Sequence, residues 1–308
     1  MRINSTNGSG SKSFSHDACR LKMYPLYKKY LDADSTVSAC ISRERSDLEK
    51  KLKLDKTDFD SAKSEYLHYA DGGRLFDISP HVEKLPFSRT AYEDIYKKSL
   101  GSERATESSI RFSILDLAIA GKCPYCGANF VTDVDHFLPV SKFFKFSALT
   151  YNLVPACHPC NKRKLSKYGS CAEDSFFHPY FDDFDHLDWA ECHVDLAGRL
   201  RIVYASSSSS GPNLKLRIDH FLKEVGIART WKTHASHFLI TKRSKFIGIL
   251  KSKGPSGLRL YLEECLKDAR EEEIARNNWK SSLISSLLCN AQFFTLEGLN
   301  VIPDKSLN

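Results

Sequence analysis

Two CxxC pairs, Cys123/Cys126 and Cys157/Cys160, constrain this chain more than any other feature. A redox dithiol needs one such pair, whereas two matching pairs with thirty residues between them need a metal, and four thiolates close a tetrahedral zinc site. Zinc held by four sulfurs keeps no open coordination position, so it is scaffold rather than catalyst. The chemistry of the stretch must then come from the residues that the cysteines enclose.

Those residues are selectively polar. Asp135 and His136 are adjacent, Asn152 precedes the second pair, Asn161 follows Cys160 directly and Lys164 comes one helical turn later. Phe130 to His136 and Leu153 to Ala156 read as strands joined by a shaped loop through Lys142, Phe143, Phe144 and Lys145. Asn161 to Lys167 has no breaker before Gly169 and reads as a short basic helix. In that layout Asp135 and Asn161 present oxygen ligands for a hard ion such as Mg²⁺ or Mn²⁺. His136, on the other face of its strand, can take a proton from water near neutral pH, and Asn152 can fix the imidazole. Lys164 and Arg163 can meet phosphate. Such a set suits hydrolysis of a phosphodiester, which needs an activated water, a divalent cation and a means of holding the substrate.

The motifs DH (Asp135-His136), N (Asn152) and CxxCN…K (Cys157, Cys160, Asn161, Lys164) resemble the HNH endonuclease family with its zinc-stapled ββα-metal fold. The resemblance implies a general base at His136, a catalytic ion held by Asp135 and Asn161, and an orienting role for Asn152. The last motif position is often His in that family and is Asn161 here, a variant also found among active members, which leaves the metal preference open. DNA is the family expectation for the substrate, and nothing in the spacing separates it from RNA. Phe177 to Tyr180 (FHPY) and the hairpin that follows are similar to bacterial HNH proteins, some of which serve in phage defence beside an ATPase partner. Two further readings stand: a catalytically silent zinc-ribbon module that binds nucleic acid or scaffolds, and a nuclease subunit silent until an ATPase engages it.

The rest of the chain reads as packing around this core. With 308 residues, 42% hydrophobic and 27% charged, it is globular, and the expected class is α+β, mostly helical. Residues 1–18 form a polar tail without the apolar core of a secretory signal, and no run of about 18 apolar residues marks a membrane span, so a cytoplasmic protein is expected. The six cysteines outside the two pairs read as buried or incidental thiols. Residues 19–118 form a helical region, with helices after Pro25, through Leu48, Tyr66 and Ala70 to Gly72-Gly73, then over 90–100 and 107–120, and a loop over 76–87. Residues 119–205 form the zinc-bearing core and a hairpin turning at Asp195 to Gly198. Asp182, Asp183, Asp185 and His186 match no common ligand spacing and read as a turn-rich loop. Residues 206–212, rich in serine, read as a linker to a second helical region over 213–308.

The formal net charge of +7 is unevenly spread. Asn213 to Gly254 holds ten Lys/Arg against Asp219 and Glu224, a balance of +8, while Pro255 to Asn308 is at −2, from six Lys/Arg against eight Asp/Glu. Phe238, Leu239, Phe246, Ile247 and Leu250 form an apolar helical face there, which leaves Lys242, Arg243 and Lys245 to follow a phosphate backbone.

Overall fold

The computed structural model describes residues 56–82, 89, 108–182, 188–271 and 277–304. The helices expected after Pro25 and over 90–100, and the residues Asp183, Asp185 and His186, lie outside them. The chain is α+β and mostly helical, with two small antiparallel sheets.

Helix α1 (Lys56–Asp71) buries Ala62, Tyr66 and Ala70, which recur every four residues on one face. Gly73, at φ 64, ends it with a left-handed cap in which its N–H reaches the Ala70 carbonyl. Helix α2 (Ser108–Leu115) is shorter than the expected 107–120. Ala118 is already extended, and Ala120 and Gly121 both take positive φ, so the last apolar positions, Leu117 and Ala118, are buried from a turn instead of a helix.

Strand β1 (Asp133–His136) pairs antiparallel with β2 (Leu153–Ala156), with Asp135 opposite Val154 and His136 opposite Leu153. β1 is narrower than the expected 130–136. Phe130 forms an isolated bridge with Lys122, and the Val131 N–H donates to the Gly121 carbonyl, so these residues close the first cysteine turn instead of lengthening the sheet. The connecting loop keeps its shape by burying Phe143, Phe144, Phe146 and Leu149. Helix α3 (His158–Lys164) begins before Cys160, with Pro159 in its first turn, and stops at Leu165 (φ 46) well before Gly169.

Strands β3 (Ala190–Asp195) and β4 (Arg201–Ser206) form the expected hairpin, turning through Gly198 at φ 77 with the Ala197 N–H donating to the Asp195 carboxylate. The serines that follow do not behave as a linker. Ser206 donates its N–H to Asp219, and Ser207 donates its hydroxyl to Glu191 and its N–H to the Trp189 carbonyl. Two carboxylates thus convert a flexible composition into a fixed turn. Helix α4 (Pro212–Glu224) starts with Pro212 in its first turn, and Gly226 at φ 76 leads into α5 (Ile227–Glu271). α5 is bent into a hairpin at Gly254-Pro255: Phe246 and Tyr261 bring their ring centroids to 6.2 Å, although a straight helix would separate them by about 22 Å. Helices α6 (Trp279–Cys289), capped by Asn278, and α7 (Leu296–Val301), capped by Thr295, close the fold against it. No described helix is long and apolar enough to cross a membrane.

One buried cluster links α1, β2, α3, the β3–β4 hairpin and helices α4 to α7. At its centre Trp231 of α5 packs against Trp189 and Tyr204, with ring centroids at 5.9 and 5.3 Å, and donates its indole N–H to the Cys126 carbonyl at 2.6 Å. The basic helical region and the cysteine-bearing core are therefore packed together.

Candidate metal centre and hydrolytic site

The sulfurs of Cys123, Cys126, Cys157 and Cys160 all lie within 4.8 Å of one another, and all four residues are buried. A zinc tetrahedron with arms of about 2.3 Å has sulfur–sulfur edges of about 3.8 Å, and Cys126 Sγ stands 3.9 Å from Cys157 Sγ. Burial pushes the Cys123 thiol well above its ordinary value, so a thiolate there needs a cation beside it. The shell around the sulfurs comes from two directions. Gly127, at φ 61, turns the first pair and donates to the Cys123 carbonyl, while Asn129 donates to Cys157 Sγ at 3.6 Å and accepts from His234 of α5 at 2.9 Å.

Asp135 is 3% exposed on β1, and its Oδ2 is held twice: by the Tyr125 hydroxyl at 2.7 Å and by the Lys164 ammonium at 2.9 Å. Lys164 is fully buried, also donates to the His136 carbonyl at 2.7 Å, and lies against the Phe137 ring. Lys164 is expected from the sequence to neutralise phosphate; in the structure its ammonium lies inside the fold against Asp135. Its cation serves the interior, because a buried carboxylate on β1 requires a partner and α3 delivers one. Asn161, one turn earlier on α3, is half-buried, and its side chain forms no hydrogen bond among the described residues.

His136 sits beside Asp135 at the edge of the sheet with its Nε2 2.8 Å from the Ser147 carbonyl. A carbonyl only accepts, so Nε2 carries the proton and Nδ1 the lone pair. Burial lowers the imidazole to about 4 against opposing contributions from Ser147 and Asp135, so the ring is neutral at pH 7. Asn152 is wholly buried and does not touch this ring. Its amide donates to the Leu138 and Phe146 carbonyls and accepts from the Leu138 N–H at 2.7 Å. Asn152 thus bonds the backbone at Leu138 and Phe146, and the next residue in the loop, Ser147, lies against the ring through its carbonyl.

The basic residues expected to meet nucleic acid fall into different settings. Arg163 is exposed on α3, Lys242 is half-buried on α5, and Lys245 lies over the Tyr261 ring at 4.4 Å. Arg243 is committed internally, to Asp304 at 2.7 Å, Asn300 at 2.9 Å and the Leu299 carbonyl, and so ties α7 to α5. Asp182 is likewise structural, accepting from the His178 N–H and from Arg217 at 2.9 Å.

Sequence reasoning missed the residues behind the site. Tyr66, read as a packing residue of α1, donates to Asn152 at 3.3 Å and lies 3.0 Å from His178 Nε2. His178 Nδ1 accepts from the Tyr180 N–H, so Nε2 donates, and a line runs from His178 through Tyr66 to Asn152. The FHPY motif hinted at His178. Nothing in the local sequence marks Tyr66, which is 86 residues from Asn152.

Comparison with known proteins agrees with this geometry. The HNH endonuclease family model matches residues 123–167, which span both cysteine pairs, β1, β2 and α3. Protein ea31 of Escherichia phage lambda is 25% identical over 232 residues, covering 67% of this chain and 74% of the phage protein. No solved structure matches.

Proposed function

We propose that this chain, built around an HNH endonuclease domain at 123–167, is a metal-dependent endonuclease that hydrolyses phosphodiester bonds in DNA. The observation that carries the reading is a neutral His136 directly beside the buried carboxylate of Asp135, on a strand stapled by four cysteines. His136 takes the proton from water at Nδ1 while Ser147 holds Nε2. A phosphate drawn against the ring raises the imidazole from about 4 toward the range a base needs. Asp135 and Asn161 would hold Mg²⁺ or Mn²⁺, since one carboxylate and one amide are the sparse oxygen set such an ion uses while keeping waters. When bound, the ion supplies charge neutralisation at the phosphoryl oxygens. Asn152 is a positioning residue, and the cysteines hold structural zinc. The reading includes a cytoplasmic protein and a role as effector of bacterial anti-phage defence, the latter on the likeness of the FHPY flank.

The test is cleavage of supercoiled plasmid with Mg²⁺ or Mn²⁺, beside linear duplex, single-stranded DNA and RNA. Wild type should nick or cut and His136→Ala should not; equal background cleavage by both sinks the proposal. A second reading is favoured by the double hold on Asp135 by Tyr125 and Lys164. In it the subunit is silent until an ATPase partner shifts α3, and plasmid cleavage occurs only on co-expression.

A further inference from the structure

We infer that a basic groove leading from Arg163 along the first turns of α5 seats the phosphate backbone of duplex DNA, an inference that rests on the nuclease reading above. An open groove of about 670 Å³ lies between β4, at Val203 and Tyr204, and α5, at Arg229, Lys232, Thr233 and Ser236. Arg229, Lys232 and Thr233 are exposed. Residues 229, 232, 233 and 236 fall within about a third of the helix circumference, so they share one face, with each turn advancing about 5 Å along the helix.

The groove is joined to the site by α3. Arg163, two residues after Asn161, passes its side chain directly over Gly226, where any Cβ would collide with Arg163 Cδ. Gly226 also requires its φ of 76, so the glycine both turns the chain and admits the arginine stem. Lys167 fixes the same junction from the other side, bonding the Glu224 carboxylate at 2.9 Å and its carbonyl at 3.2 Å. The Arg163 stem is thereby held at the start of α5, one turn before Arg229.

Lys164, Lys167, Arg217 and Arg243 are each paired with a carboxylate. Arg163, Arg229 and Lys232 are exposed and have no acidic partner among the described residues. Unneutralised cations along a groove that leads to a phosphodiester site are what a polyanion fills. Duplex fits better than single strand because the groove has no free aromatic platform: Tyr204 is buried and donates to the Trp279 carbonyl. The assignment moves the main contact surface away from Arg243, whose guanidinium is already used.

The experiment uses the full zinc-loaded chain, without added divalent ion, and a fluorescein-labelled duplex of about 20 bp, with affinity read by anisotropy from about 50 to 200 mM salt. Arg229→Gln/Lys232→Gln should weaken binding by roughly tenfold per lost contact and lower the log–log salt slope by about 2. Thr233→Glu, which removes no cation, should also weaken binding by placing a negative charge in the groove. Lys251→Gln/Lys253→Gln, about 30 Å further along α5, should stay within about twofold of wild type, and circular dichroism confirms that each variant is folded. If the double variant and Thr233→Glu bind as wild type does while wild type still cleaves plasmid, the groove is overturned and the nuclease reading stands. If wild type binds no duplex, or binds RNA alone, the groove is overturned as well. If wild type neither binds nor cleaves any nucleic acid in either divalent ion, the groove and the reading of a partner-independent nuclease both fall.

Discussion

At the scale of single residues, the buried pair Lys164–Asp135 sets the character of the site. Lysine is rarely buried without a partner, and here an ammonium 2.9 Å from a carboxylate is fully enclosed. Lys164→Met should cost about 3–5 kcal/mol in urea unfolding, because it strands a charge, whereas Asp135→Asn/Lys164→Met should recover most of that loss. His178 provides a pH dependence. Burial lowers it to about 3, while the unfolded chain titrates near 6.5, so below pH 6.5 the unfolded state binds more protons and stability falls as pH drops toward 3. The loss due to His178 should be about 2 kcal/mol at pH 5, seen as a shallower pH dependence in His178→Gln measured with excess zinc. The sequence identified Asp135 and His136 by their adjacency inside the cysteine frame, but it could not reveal that Lys164 points inward. Burial depends on how α3 lies on β1, and a lysine in a basic run looks the same whether it meets solvent or a carboxylate. Asn152 is expected from the sequence to fix the imidazole, and in the structure its side chain bonds the Leu138 and Phe146 backbone and the Tyr66 hydroxyl, none of which carries a local sequence signature.

Among the elements, α5 has the most consequences. Its Trp231 indole bonds the Cys126 carbonyl at 2.6 Å and its His234 bonds Asn129, so the helix forms part of the shell around the sulfurs. Trp231→Phe keeps the ring packing and removes the N–H, leaving a buried carbonyl unpaired. We expect about 1–3 kcal/mol of destabilisation and faster zinc release to a chromogenic chelator, both absent in Lys251→Gln. The local elements of the core were readable because each has a local cause: apolar β2, the cysteine turns, the hairpin with Gly198. The early end of α2 and the hairpin in α5 were less so. The first depends on Ala120 accepting a positive φ, and the second was signalled by Gly254-Pro255, yet the direction of the bend is set by the contact between Phe246 and Tyr261.

Over the whole molecule, the turn at 206–212 and the shared cluster around Trp231 argue against two separable halves. Far- and near-ultraviolet circular dichroism should report one coincident unfolding transition, and a fragment of 213–308 alone, with Trp231 stripped of Trp189 and Cys126, should not fold. Zinc held by the four cysteines would govern that transition. Structural zinc sites contribute about 10–16 kcal/mol while domains retain about 5–15 kcal/mol overall, so a strong chelator should unfold the chain instead of yielding a folded, metal-free protein. The serine run is read as a linker from its composition, and in the structure Glu191 and Asp219 hold its first residues by hydrogen bonds. The Lys164 ammonium carries a last consequence. Because Asp135 is neutralised by the chain itself, burying this carboxylate should require neither magnesium nor manganese. Any divalent ion that acts at Asp135 arrives as a late guest, and must compete with a resident cation for its seat.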